Sequence, residues 1–112
     1  GNYAQTMNLL HQVEYDDLFL NLDAKMLLVK IYYEQRSIDA LDSLLGSFYI
    51  YVQRKEVMGY HQNNYKNITQ LTRKLLHLGK HDKAGIRKFK KQLAETNPLT
   101  ERSWLLKQVE KL

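Results

Sequence analysis

The sequence contains no cysteine, a single proline and only five glycines among its 112 residues. The lack of cysteine excludes disulfide bonds and thiolate chemistry, and it favours a cytoplasmic protein over a small secreted one. The scarcity of proline and glycine leaves few residues that interrupt helices. With 44% hydrophobic and 26% charged residues, the composition predicts one globular, helix-rich domain over residues 1–112.

Long apolar runs and targeting signals are also lacking. No stretch reaches the roughly 18 apolar residues that span a membrane, and the first residues have neither the basic nor the apolar segment of a signal peptide. The chain begins with Gly1 instead of methionine, which we interpret as a tag remnant on a fragment of a larger protein. A signal peptide of that parent protein would then lie outside the sequence.

No combination of residues typical of an active site is present, so the sequence predicts a protein that is not an enzyme and uses no cofactor. His77 and His81 have the four-residue spacing of two metal ligands on one helix face. Gly79 lies between them, however, and is predicted to end that helix. His11 and His61 are far away in sequence, so we predict no metal site.

What the sequence does contain is helical periodicity, which is strongest from Phe19 to Val52. Residues 19–33 are apolar on almost every side, and this predicts a helix that is packed on several faces. After polar residues that predict a turn, with Ser37 as N-cap, an apolar stripe repeats at spacings of three and four. The segment therefore predicts a helical hairpin whose core contains Ala24, Leu27, Leu28, Ile31, Ala40, Leu41, Leu44, Leu45 and Phe48.

The residues before this hairpin predict a short helix of their own. Residues 2–13 carry a modest apolar stripe, formed by Tyr3, Met7, Leu10 and Val13. The polar segment EYDD follows, and we predict that Asp16 or Asp17 caps the start of the buried helix.

The residues after the hairpin predict two or three more helices. A break near Met58 and Gly59 is followed by a helical pattern over residues 60–78, which we expect to end at Gly79. Asp82 is predicted to cap a helix over residues 83–95. The dipeptide Asn97-Pro98 is predicted to open a last helix. The fold class is therefore all-α, with five or six helices in antiparallel pairs.

The stretch KIYYEQRSIDALDSLL resembles the tetratricopeptide repeat, a pair of antiparallel helices that recurs about every 34 residues. The residues that carry the resemblance are Leu27, Leu28, Ile31, Tyr32 and Ala40. The turn has Gln35 and Arg36 where the family has glycine, the proline of the repeat is missing, and residues 57–112 match poorly.

The resemblance implies a right-handed stack of helix pairs and a non-catalytic scaffold that binds peptides or proteins. Residues 2–56 would form the repeat-like hairpin region, and residues 57–112 a basic C-terminal cap of one or two helices. Residues 3–13 would then be the second arm of a severed repeat, and self-association through this N-terminal edge is expected.

Charge and tyrosine are distributed unevenly. Residues 1–53 hold seven acids and three bases, whereas residues 54–112 hold fourteen bases and five acids. The bases concentrate on one predicted helix and make a candidate polyanion-binding set, Lys83, Arg87, Lys88, Lys90 and Lys91. Four tyrosines form a candidate partner-binding set, Tyr49, Tyr51, Tyr60 and Tyr65. Solvated lysines and core-edge tyrosines would produce the same patterns.

From these observations we predict a domain that mediates protein–protein interaction or scaffolding. The alternative is binding of nucleic acid or another polyanion through the basic C-terminal half. No membrane partner is expected.

Overall fold

The computed structural model describes residues 2–54 and 59–112. Gly1, which we interpreted as a tag remnant, lies outside the described residues. So does Met58, near which we predicted a break between helices. Within these ranges the protein is all-α, as predicted, with five helices. They are α1 (Asn2–Glu34), α2 (Ile38–Arg54), α3 (Gly59–Leu76), α4 (Lys83–Glu95) and α5 (Arg102–Glu110). The chain divides into two compact units, residues 1–37 and 38–112, which we describe separately.

The first unit contains one uninterrupted helix of 33 residues, so the prediction of a separate short helix over residues 2–13 is wrong. Asp16 and Asp17 lie inside α1 and are exposed rather than capping a helix start. The EYDD segment contains no glycine or proline, and each added residue of a helix contributes one more hydrogen bond. No turn therefore separates residues 3–13 from the rest of α1, and the severed-repeat interpretation loses its basis.

The buried face of α1 is not the one predicted. Four side chains at spacings of four and three are buried, Leu22, Met26, Val29 and Tyr33. Four predicted core residues are exposed instead, Ala24, Leu27, Leu28 and Ile31. Because this segment is apolar on almost every side, its periodicity indicates a helix without indicating which face is buried.

Residues 35–37 form the predicted turn after α1. The φ of Arg36 is 58°, in the left-handed region, where glycine is favoured and other residues are strained. The amide of Ser37 donates to the Tyr32 carbonyl at 2.9 Å, and that of Arg36 to the Tyr33 carbonyl at 3.1 Å. These two bonds make a Schellman motif, which satisfies the last carbonyls of the helix. The Arg36 guanidinium also lies 4.9 Å from the centre of the Tyr33 ring.

In the second unit α2 packs against α3, α3 contacts α4, and α4 packs against α5. The predicted stripe of α2 comprised Ile38, Leu41, Leu45, Phe48 and Val52. The last four are buried as predicted, whereas Ile38, at the start of the helix, is 49% exposed. Ala40 and Leu44 were also predicted to be in the core, but Ala40 is exposed and Leu44 is half-buried. Both lie at the sides of the stripe. Helix α3 contributes Asn64, Ile68, Thr69, Leu71, Thr72 and Leu75 to the buried residues.

Helix α4 has the predicted bounds and the predicted cap. The Asp82 carboxylate accepts a hydrogen bond from the Gly85 amide at 2.9 Å, which satisfies one of the free amides of the first turn. A Cβ on Gly85 would meet the Asp82 carboxylate, so any larger residue there would force the Asp82 side chain to shift. Helix α3 ends at Leu76, before the predicted residue, and Gly79 does not adopt a positive φ.

Helix α5 begins at Arg102, later than the predicted start at Asn97-Pro98. The Pro98 carbonyl would accept one of the first hydrogen bonds of a helix that started there. It accepts instead from the side chain of Asn67 in α3, at 2.9 Å. Residues 96–101 are therefore held as a loop against α3.

Buried Asn64 secures the same loop with two hydrogen bonds. Its amide nitrogen donates to the Thr100 hydroxyl at 2.9 Å, and its oxygen accepts from the Thr100 amide at 2.8 Å. From the other side, the Arg102 guanidinium donates to the carbonyls of Leu93 and Thr96 at the end of α4. A cation at a helix C-terminus is favourable because the free carbonyls carry partial negative charge.

Candidate functional site

The four tyrosines predicted to bind a partner do not form one surface. Tyr60 is 61% exposed at the start of α3, and its ring lies edge-on to His61. Tyr49, Tyr51 and Tyr65 are half-buried. The Tyr65 ring centre lies 5.7 Å from that of buried Phe48, so Tyr65 belongs to the edge of the core. The structure thus places these tyrosines at different positions on the second unit.

Tyr49 lies in a groove between α2 and α3. Leu45, Thr69, Gln70, Arg73 and Lys74 line the groove with it. The Lys66 ammonium stands 5.7 Å from the centre of the Tyr49 ring, within the range of a cation–π contact. The Arg73 guanidinium is 3.3 Å from the Asp42 carboxylate. Two of the bases near the groove therefore already have partners inside the domain.

The basic residues predicted to bind a polyanion do share one helix. Lys83, Arg87, Lys88, Lys90 and Lys91 are all exposed on α4, whereas Phe89 and Leu93 are buried. Charged side chains directed to solvent are also what an ordinary amphipathic helix requires.

The histidines considered as metal ligands are exposed and lie outside the helices. His77 follows the end of α3, and His81 lies in the turn before α4. Across the described residues, no group of three or more histidine, aspartate or glutamate side chains is arranged to hold a metal ion. No described helix is both long enough and apolar enough to cross a membrane.

The most distinctive surface lies on α1, and only its N-terminal part, through Tyr3, Leu10 and Val13, was predicted from the sequence. Starting at Tyr3, every step of alternately three and four residues reaches an exposed side chain. We call this set the α1 stripe; it comprises Tyr3, Thr6, Leu10, Val13, Asp17, Leu20, Ala24, Leu27 and Ile31. Seven of its nine members are apolar. Such a repeat over four heptads is the pattern of a helix that pairs with another helix.

The exposure of the α1 stripe is large for side chains of this kind. Tyr3 is 90% exposed, Leu20 is 70% exposed and Leu27 is 59% exposed. Isolated exposed apolar residues are normal, but a continuous row of them marks a contact surface. Leu22, Met26 and Val29, which are buried, lie on the opposite side of the helix.

Acidic side chains accompany the stripe. The positions beside it on the helix surface include Glu14, Asp16 and Asp23, and Asp17 interrupts the stripe itself. All four carboxylates are exposed. The only base at these flanking positions is Lys30, which is half-buried near the end of the helix. The surface is therefore apolar along the stripe, and it is negatively charged near the middle of the helix, at residues 14–23.

The sequence carried the signal for this surface in its spacing. We divided residues 2–33 into two helices at EYDD, and this division cut the repeat at Asp17. We also assigned Leu27 and Ile31 to the core, which removed them from the exposed face. Heptad spacing across the whole segment indicates the stripe, but Leu22, Met26, Val29 and Tyr33 have the same spacing, so spacing alone does not indicate which face is exposed.

Comparisons with models of known families, with curated proteins and with solved structures found no match.

Proposed function

We propose that this chain is a non-catalytic helical domain that mediates protein–protein interaction, and that it binds its partner through the α1 stripe. The observation that carries the proposal is a row of apolar side chains that runs the length of α1 and stays exposed. Removing these side chains from water favours association in proportion to the apolar area that is buried. A tetratricopeptide-like arrangement of helix pairs is part of the proposal and rests on the sequence resemblance alone, because Leu27, Leu28, Ile31 and Ala40, which carry that resemblance, are exposed.

The proposal can be tested with isotope-labelled protein and a synthetic amphipathic helix that carries leucines at the same spacings. We expect NMR shift changes at the α1 stripe on titration, and we expect Leu20→Glu with Leu27→Glu to abolish them. Both side chains are exposed, so this variant retains its fold. A matched control is Ile50→Glu with Leu106→Glu, which changes exposed apolar residues of the second unit and leaves binding unchanged. Binding that survives the α1 substitutions would contradict the proposal.

Polyanion binding through α4 is a second candidate, favoured by the five exposed bases on that helix. Counterion release would make such binding fall steeply as salt rises. The variant Lys83→Glu, Arg87→Glu, Lys91→Glu leaves Phe89 and Leu93 intact and separates the two candidates. If α4 binds nucleic acid, a duplex or single-stranded oligonucleotide will bind the native protein tightly at physiological salt, and the triple variant will not bind. If the α1 stripe carries the function, the variant binds the synthetic helix as the native protein does.

A further inference from the structure

The charges along the α1 stripe restrict what can cover it. Helix pairs of this type bury the stripe and bring the flanking positions of the two helices side by side. Here the flanking positions present Glu14, Asp16 and Asp23, with Asp17 inside the stripe, and all four are exposed. Opposite charges across such an interface favour the partner that carries them, and like charges exclude other partners.

A second copy of this chain fits the surface poorly. In a parallel pair in register, Asp17 of one copy would lie against Asp17 of the other, and both would leave water. In an antiparallel pair that overlaps along the whole helix, Asp16 of each copy would lie beside Asp23 of the other. The parallel pair is disfavoured because it buries two like charges, and the antiparallel pair is disfavoured because it places like charges side by side.

We propose that the α1 stripe binds an amphipathic helix of another protein whose apolar stripe is flanked by lysine or arginine. This inference rests on the proposed interaction function and adds the chemical class of the partner. The apolar stripes supply the contact area. The bases on the partner would lie beside Glu14, Asp16 and Asp23, and a base near the middle of the partner would reach Asp17.

The experiment compares three synthetic helices, each about four heptads long. Two carry identical leucine stripes and differ only in having lysine or glutamate at every flanking position. The third has lysine flanks and the same composition, but its leucines are moved off the stripe. Binding to the native protein is measured by fluorescence anisotropy at low and at physiological salt, and sedimentation reports the oligomeric state without peptide.

We expect the lysine-flanked helix to bind at least about tenfold more tightly than the glutamate-flanked one, with the ratio falling as salt rises. The variant Asp16→Lys, Asp23→Lys should reverse this preference. A matched control is Glu95→Lys with Glu110→Lys, which makes the same change in net charge at exposed positions on α4 and α5. This control should keep the native preference, and circular dichroism checks that both variants are folded.

The outcomes separate this inference from the function on which it rests. If both leucine-stripe helices bind equally and Leu20→Glu with Leu27→Glu abolishes both, the interaction function stands and the basic partner is wrong. If the helix with displaced leucines binds as well as the lysine-flanked helix, the attraction is only electrostatic and the inference is overturned. A dimer that Leu20→Glu dissociates identifies a second copy as the occupant and also overturns it. If no helix binds at α1, both proposals fail.

Discussion

Each unit has one long apolar stripe that differs in exposure from the other, although α1 also buries Leu22, Met26, Val29 and Tyr33 on its other face. In the second unit the apolar stripe of α2 is buried, from Leu41 to Val52. In the first unit a stripe with the same spacing, from Tyr3 to Ile31, is exposed. Helical periodicity alone therefore does not distinguish an apolar face that is buried within the chain from one that is exposed.

The units also differ in how their polar groups are used. The second unit buries Asn64 and Thr72 and joins α3 to the loop before α5 through side-chain hydrogen bonds. The polar residues in the N-terminal half of α1 are exposed. Buried hydrogen bonds specify one arrangement of helices.

The largest test of this contrast compares truncation of a buried and an exposed side chain. Phe48→Ala removes a ring that is 0% exposed in the second unit, and should lower the free energy of unfolding by about 3 to 5 kcal/mol. Leu20→Ala removes a side chain that is 70% exposed in the first unit, and should change it by less than about 0.5 kcal/mol. Urea denaturation followed by circular dichroism measures both. Equal losses would remove the contrast between the two stripes.

A smaller effect is expected from the buried hydrogen bonds of the second unit. Asn64→Ala removes two bonds that a buried side chain makes to Thr100, so we expect a loss of about 2 to 3 kcal/mol. Asn67→Ala removes one bond from a half-buried side chain and should lose about 1 kcal/mol. Denaturation midpoints of the two variants give the comparison. A larger loss for Asn67→Ala would mean that the loop is held mainly through Pro98.

The turn after α1 allows a test in which the expected difference in unfolding free energy is about 1 kcal/mol. Arg36 has a positive φ and also places its cation over the Tyr33 ring. Arg36→Ala loses the cation and keeps the strain, whereas Arg36→Gly loses the cation and relieves the strain. We therefore expect the glycine variant to be more stable than the alanine variant by about 1 kcal/mol. Thermal unfolding of the pair measures the difference, and equal stability would argue against a left-handed residue 36.

The smallest effect concerns pH. Burial raises the pKa of Tyr33 above its ordinary value of 10.0, and the nearby Arg36 cation partly opposes this shift. The folded state therefore holds the Tyr33 proton after the unfolded state has lost it, so this contribution to stability is complete below pH 10 and is lost as the pH rises further. Tyr33→Phe should show a shallower loss of stability above pH 10 than the native protein. Identical slopes would indicate that Tyr33 titrates normally.

The sequence predicted some local features correctly and others wrongly, and it predicted distant contacts poorly. Helix α4 and its Asp82 cap were predicted because the cap and the helix are adjacent in sequence. The bonds from Asn64 to Thr100 join residues 36 positions apart, and no local pattern indicates them. The buried face of α1 was assigned wrongly because residues 19–33 are apolar on almost every side. The stripe was predicted only as far as Val13 because the acidic segment that follows was interpreted as a helix boundary.

The first half of α1 has a consequence for the rates at which the protein exchanges its backbone hydrogens. All described side chains from Asn2 to Asp17 are exposed, so the amides there are protected only by the hydrogen bonds of the helix itself. Short helices without tertiary contacts open readily. Exchange should therefore be fast in this segment while the second unit remains protected. A bound partner would slow exchange there, so its occupancy could be read from a single peptide of the chain.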